Sequence, residues 1–303
     1  MDNDRIYNHN NSGLNLSGLG VAMVTPFNMD KSIDFETFAN LIDYLIEGGV
    51  DYLVILGTTA ETPTLSNSER KEIQKFAVNH VNGRVPLVLG LGGNCTAHVI
   101  DEIKSTDLTG FSAILSVAPY YNKPNQEGIY KHFSEIAKAC PIPVVLYNVP
   151  GRTGVNIEAD TTLRLASEFR NIIAIKEASG NILQIEEILN KKPSHFQVIS
   201  GDDSLTYELV KKGASGVISV IGNAFPSEFG KMLKLCKMGK TEEAEKINTN
   251  FSKLYDVLFI DGNPAGVKCV LSEMNKIKNV LRLPLTPVSK ATEQSIKEIL
   301  KNF

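Results

Sequence analysis

Lys176 ends an apolar run, Ile172, Ile173, Ala174 and Ile175, within the stretch NIIAIKEASG at 171–180. A run of that length and composition reads as a strand buried on both faces. An ammonium at its end either reaches solvent or serves chemistry, because burying it is costly. Held neutral among apolar neighbours, the same amine attacks a carbonyl carbon to form a Schiff base. Other segments carry groups suited to that reaction: GTTAE at 57–61, APYYNKP at 118–124, YNVPGRTG at 147–154, SGDD at 200–203 and GVISVIGN at 216–223. Singly, each has a plainer explanation. The threonines could cap a turn, the tyrosines could pack with wet hydroxyls, Arg152 could be a surface charge, and Asp202 with Asp203 could cap a helix. Together they supply the hydroxyls of Thr58 and Thr59, the phenols of Tyr120, Tyr121 and Tyr147, the Arg152 guanidinium and the Lys176 amine. No paired carboxylates or metal ligands accompany them. That set suits imine chemistry, in which a lysine binds a ketone, the protonated imine draws electrons, and hydroxyls move protons. An arginine fork beside it would hold a carboxylate.

These groups meet only if the elements place them on one rim. Apolar runs recur at 21–24, 52–56, 87–89, 113–117, 144–147, 172–175, 197–199 and 216–220, each followed by a turn and a helical pattern. Phe35, Phe38, Leu41, Ile42, Leu45 and Ile46 make one such stripe, ended by Gly48 and Gly49. Ser66 with Glu69 reads as a capping box. Further helices are expected at 96–105, 126–139, 160–168, 183–189, 205–211 and 227–236. Continuous apolar strands alternating eight times with helices predict a (β/α)8 TIM barrel. An open doubly wound sheet is the runner-up, but no Gly-x-Gly-x-x-Gly turn follows the first strand. The glycines at 90–93 suit a tight turn with close backbone approach. In a barrel the loops after the strands form the face that holds chemistry, and all the polar segments fall there.

Beyond residue 238 the pattern changes to helices alone, at 241–258, 266–274 and 290–301, with a rigid Leu-Pro-Leu-Thr-Pro link at 283–287. The expected organisation is a polar N-terminal extension at 1–15, a catalytic barrel at 16–238, and a C-terminal helical extension at 239–303 that covers the barrel or meets another subunit. Composition agrees with a small-molecule function. Of 303 residues 43% are hydrophobic, and 31 basic against 34 acidic residues leave a net charge of -3 without blocks of either sign. Neither nucleic acid nor an anionic membrane is an expected partner. Cys95, Cys140, Cys236 and Cys269 are too far apart in sequence to suggest zinc or a disulfide framework. With no signal-peptide core and no membrane-spanning run, a cytoplasmic location is expected.

Nearly the whole chain, from about Leu16, resembles the 4-hydroxy-tetrahydrodipicolinate synthase (dihydrodipicolinate synthase) family of class I pyruvate-dependent lyases. The lysine of IIAIKEASG and the tyrosine of YNVPGRTG are shared across that superfamily. The threonines of GTTAE, the arginine of YNVPGRTG and the PYYNKP segment are closer to the synthase. The resemblance implies that Lys176 forms the Schiff base with pyruvate and Tyr147 donates and accepts the proton. Thr58 and Tyr121 match the proton relay, Tyr121 being delivered by a neighbouring subunit. Thr59 and Ile218 match pyruvate contacts, the latter through its backbone. Arg152 matches the residue that holds the carboxylate of aspartate 4-semialdehyde. The implied product is 4-hydroxy-tetrahydrodipicolinate for lysine and diaminopimelate synthesis, made by a homotetramer, a dimer of dimers, with no metal or other cofactor. Glu177, one residue on from Lys176, should face the helices and make a structural hydrogen bond.

The chain departs from the family pattern in two respects. Ala60 stands where the family usually has glycine. Asn67, Arg70 and His98 stand at positions that bind feedback lysine in sensitive members, although Asn94 and Tyr120 match, so weak or absent lysine inhibition is expected. A sugar-acid retro-aldol lyase, a non-catalytic keto-acid sensor and a phosphosugar isomerase are the alternatives. Thr58 and Arg152 favour the synthase over the first, the intact reactive set disfavours the second, and no basic glycine-rich phosphate loop supports the third.

Overall fold

The structure, a computed structural model, describes residues 14–303. The expected extension at 1–15 therefore lies mostly outside the described residues. Its last two do not: Leu14 packs against the barrel interior, and the Asn15 side chain accepts a hydrogen bond from Gln197.

Eight parallel strands close into a barrel in chain order: β1 (Gly18–Ala22), β2 (Tyr52–Ile55), β3 (Leu87–Gly90), β4 (Ala113–Val117), β5 (Val144–Asn148), β6 (Ile172–Glu177), β7 (Gln197–Ser200) and β8 (Gly216–Ser219). Around them run α1 (Phe35–Glu47), α2 (Asn67–Val81), α3 (Thr96–Ser105), α4 (Gln126–Ala139), the single turn α5 (Pro150–Thr153), α6 (Ala159–Glu168), α7 (Ile182–Lys191), α8 (Asp203–Lys211) and α9 (Pro226–Lys237). Three more helices follow, α10 (Thr241–Val257), α11 (Ala265–Glu273) and α12 (Lys290–Leu300). Among the described residues no helix is long and apolar enough to cross a membrane.

Strand period 2 divides the barrel into two cores. Ala22, Tyr52, Val54, Val88, Leu115, Val145, Ala174, Ile199 and Ile218 fill the interior, with Leu16 among them. Their neighbours in sequence, such as Leu53, Leu89, Ile114, Leu146, Ile175 and Val217, face out and meet the helices. Helix α1 buries Phe38, Leu41, Ile42 and Leu45 there, and Asp34 caps it by accepting from the Thr37 amide. Helix α2 begins with the expected capping box of Ser66 and Glu69.

The first strand is displaced from its expected 21–24. Gly18 to Gly20 pair with β8, and a side chain at Gly20 would collide with the Tyr52 ring. Glycine at 20 weakens the apolar signal but leaves the room in which Tyr52 fills the barrel interior, while a side chain at Gly18 would strike the Asp51 carboxylate. Close approach also explains the glycine that ends β3, since a side chain at Gly90 would strike the Leu56 carbonyl.

Candidate active site

Tyr147 and Lys176 are cross-strand partners on β5 and β6. They point inward near the carboxyl ends of those strands, so the barrel closes over both: Lys176 is 5% exposed and Tyr147 7%. The lysine Nζ lies 4.4 Å from the centroid of the tyrosine ring, close enough for the ring face to interact with a cation. Gly201 keeps this corner open, since a Cβ there would lie 3.0 Å from Lys176 Cε and 2.8 Å from Ala178 Cβ. The amine opens onto a pocket of about 600 Å³ that Thr58, Thr59, Tyr147, Arg152 and Asp202 also line.

Thr58 and Thr59 sit on a 3-10 turn (Thr58–Ala60) that follows β2. Thr59 is buried and its hydroxyl accepts a 3.1 Å hydrogen bond from Asn263. Ala60 occupies the same turn without a left-handed backbone, its carbonyl held by the Thr25 hydroxyl at 2.7 Å. The left-handed residue is the next one, Glu61, with φ of 57°. Alanine in place of the family's glycine is therefore accommodated. Arg152 extends from the α5 turn at the pocket wall, exposed and free to meet an anion.

Two expected residues do not line this pocket through their side chains. Ile218 is fully buried in the barrel interior, and Val220, two residues on and just past the end of that strand, lines the pocket. Tyr121 is 84% exposed and is not part of its own chain's pocket wall. Its loop rests on the α5 turn through the Tyr121 amide, which donates to the Thr153 carbonyl at 3.3 Å, with Tyr121 itself at φ of 77°.

Glu177 faces outward as strand alternation requires, away from Lys176. Its carboxylate accepts from the Asn148 side chain at 2.9 Å, the Ser179 amide at 3.1 Å and the Gln184 side chain at 3.0 Å. Burial raises its pKa, and those bonds act against the rise. Asp202 caps α8 by accepting from the Ser204 amide. Asp203 is buried and accepts from the Val220 and Ile221 amides at 2.9 and 2.8 Å. Burial pushes its carboxyl up to about 6.

Sequence reasoning missed the pocket wall contributed by Tyr255, Asp256, Phe259 and Asn263, from α10 and the loop after it. Asn263, between Gly262 and Pro264, was legible only as a loop residue. Its meeting with Thr59 spans 204 residues of chain, and no local periodicity encodes that.

An (β/α)8 barrel with a buried lysine against a tyrosine at the carboxyl ends of adjacent strands defines a Schiff-base-forming lyase of the class I aldolase type. Comparison with known proteins is more specific. The profile of the Dihydrodipicolinate synthetase family matches residues 15–303, and the chain belongs to that family. It is 55% identical over 290 residues to the 4-hydroxy-tetrahydrodipicolinate synthase of Parabacteroides distasonis, covering 96% of this chain and 98% of that one. The corresponding enzyme of Phocaeicola vulgatus is 54% identical, covering 95% and 97%. Among solved structures, dihydrodipicolinate synthase from Thermotoga maritima superposes with a TM-score of 0.93 at 37% identity, covering 95% of this chain and 99% of that one.

Proposed function

We infer that the enzyme condenses pyruvate with L-aspartate 4-semialdehyde to give 4-hydroxy-tetrahydrodipicolinate, a step toward lysine and diaminopimelate. The observation that carries this reading is the Lys176 amine, buried and 4.4 Å from the Tyr147 ring at the pocket floor, in a chain of this family.

The neutral Lys176 amine attacks the C2 carbonyl of pyruvate, and loss of water leaves an imine. Loss of a methyl proton gives the enamine, whose carbon attacks the aldehyde of the second substrate. The substrate's own amine then closes on the imine carbon and expels Lys176, so one water leaves over the whole reaction. Tyr147 stands beside the nitrogen where protons must be delivered and removed, and Thr58 with Tyr121 extends the relay. Thr59 and the backbone at Ile218 hold pyruvate, and Arg152 holds the carboxylate of the aldehyde. Every step is acid-base or carbonyl chemistry that these side chains can supply, and it calls for no cofactor.

The exposed Tyr121 phenol suits an assembly in which a second copy presents it to the pocket, within a homotetramer made of two dimers. The barrel at 16–238 is the catalytic unit in this reading, the helices at 239–303 complete its pocket, and the enzyme works in the cytoplasm. The test is pyruvate consumption with and without aspartate 4-semialdehyde, followed by appearance of the heterocycle. Consumption that requires the aldehyde is expected. Lys176→Ala should abolish the borohydride-trapped pyruvate adduct, and persistence of that adduct on the same peptide would reject the assignment. An imine without condensation would point to a sugar-acid lyase.

A further inference from the structure

The turn that carries Thr58 and Thr59 ends on Glu61, whose φ of 57° is uncommon for a residue with a side chain. Such a conformation persists where surrounding contacts over-determine it. Here they do so through charge. The Glu61 and Lys268 side chains are both fully buried, with Nζ and Oε1 2.5 Å apart. That oxygen makes an ion-pair contact without meeting hydrogen-bond geometry. The other carboxylate oxygen accepts from the Arg282 backbone amide at 3.0 Å. Lys268 in turn donates to the Val280 carbonyl at 2.9 Å and lies 4.3 Å from the centroid of the Phe27 ring. Glu61 is thus gripped by helix α11 and by the segment after it, more than 200 residues away in the chain.

A buried ion pair is a poor way to gain stability. Apolar residues of similar volume usually do as well or better, because both charges must leave water. What an ion pair in this position does supply is directional restraint on one backbone turn. The restraint lies within three residues of two hydroxyls that line the pocket. We propose that Glu61 and Lys268 are positioning residues. Helix α11 and the segment after it hold the Glu61 carboxylate, and that carboxylate fixes the turn so that Thr58 and Thr59 face the reacting imine. The two residues touch no substrate themselves. This proposal rests on the reading of Thr58 and Thr59 given above.

The variants are Glu61→Gln, which keeps shape and an acceptor for the Arg282 amide, and the double variant Glu61→Gln/Lys268→Met, which leaves no unpaired buried charge. Each is assayed for thermal unfolding, borohydride-trapped pyruvate adduct and steady-state condensation. The double variant is expected to unfold near the wild-type temperature and to trap pyruvate on Lys176. Its kcat should fall by about tenfold to a hundredfold, the scale of a small misplacement of reacting groups. Wild-type kcat in the folded double variant overturns the proposal, as does a loss confined to thermal stability. If neither variant folds, the pair serves the barrel as a whole and the proposal is likewise overturned. Failure of the wild-type protein to condense the two substrates would instead reject the proposed function, so the two failures are distinguishable.

Discussion

The Tyr147 ring both walls the pocket and lies against Lys176 Nζ, so its packing and its proton chemistry can be separated. Tyr147→Phe keeps the ring and removes only the hydroxyl. We expect kcat for condensation to fall about 10²- to 10⁴-fold, the usual range for losing a positioned acid-base group. The pyruvate adduct should still be trappable on Lys176 at long incubation. Turnover within a factor of a few of wild type would move the proton role to another group. Lys176 and Tyr147 were both legible as chemistry-bearing residues, because each closes an apolar run with a reactive group. Glu177 was legible as a bystander for the same geometric reason, since neighbouring residues of a strand face opposite ways.

At the level of elements, the same β5–β6 register that pairs Tyr147 with Lys176 inside the barrel pairs Asn148 with Glu177 outside it. The outer pair ties into helix α7 through Gln184 and into the loop before α6 through Asn156. Glu177→Leu would strip acceptors from two buried amide side chains and from the Ser179 amide. A loss of about 2–5 kcal/mol is expected in denaturant unfolding, whereas a catalytic base would show its loss in kcat with stability kept. Helices α3 and α4 offer a pH test. His132 is buried between them, bonded through Nδ1 to the Thr96 hydroxyl at 2.9 Å, and burial holds its pKa down at about 4 against an ordinary 6.5. The folded state therefore binds this proton less readily than the unfolded chain. Its contribution is present above pH 6.5 and is lost as pH falls through about 4. Fully expressed, the difference is about 3 kcal/mol. His132→Gln should flatten that acid limb in unfolding measurements between these pH values, and an unchanged limb would show that other groups produce it.

For the whole molecule, weak or absent inhibition by lysine is expected from residues on α2 and α3. Arg70 donates to Glu102 at 3.1 Å and also bonds to Asn67, while His98 is exposed on α3. A guanidinium there would oppose the ammonium of a lysine brought to this surface. Initial rates should accordingly be unchanged by sub-millimolar lysine, and inhibition in that range would refute the expectation. The eightfold alternation, the spans of α3 and α4, and the lysine and tyrosine could be read from the residues alone, because strand burial, helix periodicity and capping are written over a few consecutive positions. It took the folded molecule to show that β1 begins at Gly18 with Gly20 opposite Tyr52, that Asn263 reaches Thr59, and that Lys268 and Arg282 grip Glu61. Those contacts join segments far apart in the chain. They exist only once barrel closure and helix docking bring the segments together, and no local pattern of residues records them.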